Sequence, residues 1–117
     1  MSEIHAVLTG DLIGSRTQSD ATETSMRVLA ETCAAFGELY SLDLRFTRHR
    51  GDGWQVIVPA NYFYDLTLTI AARLKATKGA LPSKIGIGLG PITSRGTDSL
   101  SDASGSAFIA SGEMLEF

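Results

Sequence analysis

The stretch that decides the fold is "FTRHRGDGWQVIVP", Phe46 to Pro59. Gly51-Asp52 stands between two apolar-alternating runs, which is a strong hairpin signal. Upstream, "LDLRFTRHR" points Leu42, Leu44 and Phe46 one way and Asp43, Arg45 and Thr47 the other. Downstream, "GWQVIVP" alternates less cleanly and stops at Pro59. Working outward from this hairpin, "IHAVLTG" reads as a buried strand ending at a Gly-Asp break. "SRTQSDATET" is a polar start in which Asp20 or Thr22 is expected to cap a helix. In "SMRVLAETCAAFGELY", Met26, Leu29, Cys33 and Phe36 recur at steps of three and four, one face of that helix. "ANYFYDLTLTIAARLKATKG" reads as a second helix stopped by Gly79. "SKIGIGLGPI" is a strand, "SRGTDSLSD" a loop and "ASGSAFIASGEMLEF" a third helix.

The order β-α-β-β-α-β-α predicts an α+β fold. The natural packing is a ferredoxin-like split β-α-β, with an antiparallel sheet and helices on one face. Strands two and three are expected as its central pair. The other face lacks a helix and is expected to serve a ligand, a partner or solvent. All 117 residues fit a single domain, 1–117. Phe117 ends the chain inside the last expected helix, so continuation in a longer protein is expected.

Composition narrows the function classes. Hydrophobic residues make up 44% and charged residues 20%, as in an ordinary water-soluble domain. No apolar run nears the ~20 residues of a membrane span. The N-terminus lacks the basic segment of a secretory signal. A net charge of −3 argues against a general nucleic-acid binder. The local exception is Arg45, Arg48, His49 and Arg50, which suit phosphates or simply the solvated side of a strand. Cys33 is alone, so no internal disulfide forms, and a cytoplasmic location is the default.

Two acids invite chemistry. Asp11 follows the first strand and Asp52 sits in the hairpin tip. A split β-α-β sheet brings those places to one end. Paired carboxylates repel unless a cation lies between them, and Mg²⁺ uses one or two carboxylates plus substrate phosphates. Gly10 and Gly14 are expected to keep the first loop slim enough for phosphates to approach backbone groups. The bland alternative is two Asp residues serving Gly-Asp turns. "KIGIGLGP" is not a dinucleotide loop, because its glycines alternate along a strand instead of opening a helix. Its apolar residues should meet the helices, and its bare face suits close approach. His5 and His49 lack metal-ligand spacing, and no Ser stands in a hydrolase context.

"AVLTGDLIGSR", "FTRHRGDGWQVIVP", "KIGIGLGPI" and "DASGSAFIASGEML" together resemble the nucleotide-cyclase-like palm domains, nearest to SatD-like proteins. The resemblance runs from about Ile4 to Leu115. The wider superfamily includes class III cyclases and GGDEF diguanylate cyclases. The resemblance implies a nucleoside triphosphate or other nucleotide as ligand, Mg²⁺ or Mn²⁺ as cofactor, and a homodimer. It places Asp11 and Asp52 as metal aspartates, with the carbonyl of Leu12 or Ile13 as a further ligand. Arg48 stands where those cyclases carry a base-reading Lys, and Asp102 where they contact the purine. Gly14, Arg16 and Arg50 would serve phosphate.

The departures are as informative. Phe108 or Ile109 stands where the cyclase helix carries Asn, and Gly112 where it carries Arg. A cation lost from phosphoryl transfer costs orders of magnitude in rate. The resemblance therefore implies either nucleotidyl transfer or a non-catalytic nucleotide-sensing or interaction module.

Overall fold

The computed structural model describes residues 4–49, 51–94 and 104–105. Strand β1 (Ile4–Leu12) leads through a 3-10 turn (Ser15–Thr17) into helix α1 (Ser19–Tyr40). Strands β2 (Arg45–His49) and β3 (Gly53–Pro59) form the expected hairpin. A second 3-10 turn (Ala60–Tyr62) opens helix α2 (Phe63–Ala76), followed by β4 (Ser83–Ser94) and the short β5 (Ser104–Gly105). The sheet order is β2-β3-β1-β4-β5, with antiparallel pairing throughout. This is the split β-α-β arrangement. The central pair is β1 and β3, not β2 and β3 as expected. The reason is that α1 carries β2 past one strand position, and β3 then fills the gap beside β1.

The core lies between the helices and one sheet face. Ala6, Leu8 and Leu12 of β1 and Trp54, Val56 and Val58 of β3 alternate toward Met26, Leu29, Cys33 and Phe36 of α1 and Leu66, Ile70 and Leu74 of α2. Leu42, Leu44 and Phe46 pack against that cluster from the β2 side, as their alternation predicts. The opposite face is not bare at its centre. Val7 and Ile57 are cross-strand partners there and both are buried. On β4, Ile85 and Ile87 reach the helix-side core, but Leu89 is half exposed.

Helix α1 starts at Ser19, ahead of both caps expected for it. Gln18 is its N-cap, without a side-chain bond, and Asp20 and Thr22 lie inside the first turn, so neither caps. Thr22, Ser25 and Thr32 are buried. Each satisfies its hydroxyl on the carbonyl one turn back, Gln18, Ala21 and Val28. Polar residues thus occupy core-side positions of the helix, Thr22 among them within the run read as a polar start. The helix expected over 103–117 meets a strand at Ser104–Gly105, paired to β4. The rest of it lies outside the described residues.

Candidate functional site at the end of β1

The register of the sheet builds the site. Asp11 is paired with Gly53 of β3 on one side and Lys84 of β4 on the other. Asp52 immediately precedes Gly53, and its carbonyl accepts the Leu12 N–H at 3.0 Å. The two aspartates therefore reach one end of the sheet through backbone pairing alone. Asp11 is exposed and Asp52 half-buried.

Gly53 leaves room beside Asp11. A Cβ at Gly53 would stand 3.3 Å from Oδ1 of Asp11 and 3.0 Å from the His49 carbonyl. The Asp11 carboxylate thus lies over the residue beside Asp52, in a space that a side chain would narrow. Asp52 is oriented by Ser15, whose hydroxyl donates to Oδ2 at 2.8 Å. Gly14 precedes Ser15 in a left-handed conformation, φ 87°, which turns the chain back toward the hairpin. Ser15, Ser19, Thr22, Glu23, Gly51 and Asp52 line an open cleft of about 250 Å³.

Asp11 is held from behind. The indole N–H of Trp54 donates to Oγ of Ser83 at 2.9 Å. The Ser83 hydroxyl in turn lies 3.2 Å from the Asp11 carbonyl and 3.0 Å from that of Lys84. Trp54 is fully buried and lies flat over Gly10. Gly10 is therefore a floor for the indole within β1, not part of a slim loop as expected.

Arg48 faces the helix side of the hairpin. Its guanidinium forks onto the Glu23 carboxylate of α1, at 2.9 Å from Nη1 to Oε1 and 2.5 Å from Nη2 to Oε2. Its Nε donates to the Gly51 carbonyl at 2.7 Å. The hydrogen bonds from Arg48 hold the Glu23 carboxyl below its usual range, and the same bonds raise the already high Arg48 value. The cation is thus spent on docking the hairpin tip to α1. Of the other expected residues, the backbone of Arg16 lies in the first 3-10 turn, and Arg50 and Asp102 fall outside the described residues. Leu12 buries its side chain in the core, and the exposed Ile13 bonds its N–H to the Pro82 carbonyl at 2.9 Å.

Sequence reasoning missed Ser15, Ser83 and Lys84. Ser15 was visible only as a serine without a hydrolase context, and Ser83 only as the first residue of a strand. Lys84 needs the β1–β4 register to be seen opposite Asp11.

Among the described residues, Asp11 and Asp52 offer hard oxygen donors here. Among the described residues, no three His, Cys, Asp or Glu side chains converge. Two carboxylates fit Mg²⁺ or Mn²⁺, which complete their shells with water and phosphate oxygens, better than a closed zinc site.

Neither a family model nor a curated protein matches the chain. Solved structures do. The dimeric guanylyl cyclase domain of the RhoGC fusion protein from the aquatic fungus Blastocladiella emersonii aligns with TM-score 0.70 at 18% identity, over 98% of this chain and 74% of that one. The chain has a cyclase-like palm fold. A bacterial light-regulated adenylyl cyclase gives 0.68 at 14% identity, over 99% of the palm and 70% of that chain. A sensory box/GGDEF family protein from Caulobacter crescentus gives 0.61 at 20%, over 97% of the palm and 80% of that chain. Among the described residues, no helix of the palm is long and apolar enough to cross a membrane.

Proposed function

We propose that this palm binds a nucleotide together with Mg²⁺ or Mn²⁺ at the end of β1, with Asp11 and Asp52 as the metal carboxylates. What carries the reading is the cross-strand pairing of Asp11 with Gly53, where the missing side chain leaves space beside Asp52. The Leu12 carbonyl is a further oxygen candidate. When bound, the cation would offset the repulsion of the two carboxylates and neutralise phosphate charge.

The chain's own residues do the rest. Ser15 orients Asp52, and Ser83 steadies the backbone of Asp11. Lys84, across the strand from Asp11, adds positive charge on the side where phosphates would lie. Gly14, Arg16 and Arg50 belong to the same phosphate-binding group, and Asp102 to the base. Arg48 holds the hairpin through Glu23 and is a base contact only if that pair opens. The motif pattern supports a SatD-like reading of the palm, and a cytoplasmic homodimer goes with it.

If the palm is catalytic, a 3′-hydroxyl attacks the α-phosphate. The new O–P bond forms as the bond to the β-phosphate oxygen breaks, and the hydroxyl proton passes to water. A second reading, a nucleotide sensor without turnover, is favoured by Phe108, Ile109 and Gly112 at the Asn and Arg positions of the cyclase helix. Calorimetry with Mn²⁺ and ATP or GTP, alongside a pyrophosphate assay, tests both. Binding lost in Asp11→Ala and Asp52→Ala supports the site. Pyrophosphate release that needs Asp52 selects the enzyme, and binding without release selects the sensor. A folded protein that binds neither nucleotide sinks the proposal.

A further inference from the structure

We propose that the cleft between the C-terminal half of α2 and the start of β4 binds a small amphiphilic carboxylate, and that its occupancy is felt at Trp54 and Asp11 through Ser83. This cleft adjoins the end of β1 through Ser83, and its occupancy stands whether or not the nucleotide reading holds.

The cleft encloses about 440 Å³ and is lined by Ala71, Leu74, Lys75, Ala80, Pro82, Ser83 and Ile85. That volume lies in the range of small-molecule sites, as does the balance of an apolar wall with few polar groups. The wall is unusually slim at Ala71 and Ala80, which leaves a slot beside Leu74 and Ile85. Among the described residues, Lys75 is the one charged residue of the lining, so an anionic head is the complementary one. Ser83 supplies the hydroxyl. An acid with a short hydrocarbon body satisfies all three features. A nucleotide does not, because its several charges would face one ammonium and an apolar wall.

The link to Asp11 follows from proton count. A serine hydroxyl has one hydrogen to donate. Here the Trp54 indole N–H occupies its oxygen as donor, and its hydrogen goes to the carbonyl of Asp11 or Lys84. A carboxylate entering the cleft is a stronger acceptor than either carbonyl. It takes the hydrogen from them, so the Asp11 backbone loses its tie and the hydrogen bond at Trp54 is repolarised. Nothing covalent changes.

Trp54 is the only tryptophan of the chain, so its emission reads the event directly. Octanoate, with 1-octanol as the uncharged control, is titrated by calorimetry and by Trp54 emission, below the concentration at which octanoate forms micelles. The expected result is saturable octanoate binding with a change in emission, and binding of octanol weaker by at least a few-fold. Ala71→Phe fills the slot and should abolish binding. Ala80→Leu is the second filling variant if the first does not fold by circular dichroism. Lys75→Gln should weaken octanoate a few-fold, the size of an exposed ion pair. Ser83→Ala should weaken calorimetric octanoate binding a few-fold, through the lost hydroxyl donor, and remove the emission response of the octanoate that still binds. Absence of saturable heat, or binding unchanged by the filling variants, overturns the site. Octanol binding as well as octanoate overturns the carboxylate preference. Saturable binding with silent Trp54 emission overturns the coupling.

Discussion

Gly10→Ala should be the most damaging single methyl in this palm. A Cβ built at Gly10 falls 2.1 Å from Cε2, 2.3 Å from Nε1 and 2.4 Å from Cζ2 of Trp54. Contacts this short force movement, and neither partner is free to give. The backbone of Gly10 is locked between Trp54 and Ile85 in the sheet. The indole is fully buried, near-parallel to Phe46 at a centroid distance of 6.2 Å, and tied to Ser83. Overpacking a core costs ~1–3 kcal/mol. Pulling the indole N–H off Ser83 inside the protein adds ~1–3 kcal/mol. The sum, about 2–6 kcal/mol, is a large part of the ~5–15 kcal/mol that holds a domain of this size. It corresponds to a fall in Tm of about 10 °C or more. Urea unfolding followed by circular dichroism gives the stability change, and the native Trp54 emission shows whether the ring has moved. Gly10→Ala combined with Trp54→Phe should cost less than the two changes added, because the smaller ring makes room. A destabilisation under about 1 kcal/mol with unchanged emission would refute the packing argument.

Three other outcomes follow from the same geometry. Gly53→Ala should weaken Mn²⁺ binding more than it weakens the fold, since its Cβ crowds the Asp11 carboxylate, and calorimetry beside thermal unfolding separates the two. Cys33 should resist a thiol reagent in the native state and react fully in urea, because burial pushes its thiol up to about 12. The unfolded chain then ionises this group first, so stability should drop as pH climbs from about 9 toward 12, a loss that Cys33→Ser removes. Glu23 should titrate below the ordinary glutamate range in an NMR pH series. Its contribution to docking the hairpin is present above the unfolded value and fades as pH falls through the lowered one. Arg48→Gln should return Glu23 to its ordinary range.

How far the chain could be read depended on whether the signal was local. The run "GWQVIVP" coincides with β3, and Gly79 follows α2 closely, because turn residues and alternation are written into neighbouring positions. The start of α1 was not legible. Thr22 stands in a run that reads as a polar start, and only the helix itself supplies the carbonyl that satisfies it. That Asp11 and Asp52 lie at one end of the sheet was readable from topology, although the strand order behind it was misjudged. The supports were not. Ser83, Lys84 and the Gly10 floor depend on register between distant strands, and Glu23 finds Arg48 only once α1 lies across the hairpin.

The position of β1 between β3 and β4 has a consequence for synthesis. This strand leaves the ribosome before either neighbour exists, and it carries the apolar run Ala6-Val7-Leu8. One of its edges can close once the hairpin has formed, and the other only after β4 emerges. Until then the nascent chain offers a row of unmatched amides beside an apolar strand, an invitation to pair with a sister chain. Translation that halts after α2 would leave β1 half-matched, and such fragments should depend on chaperones while full chains do not.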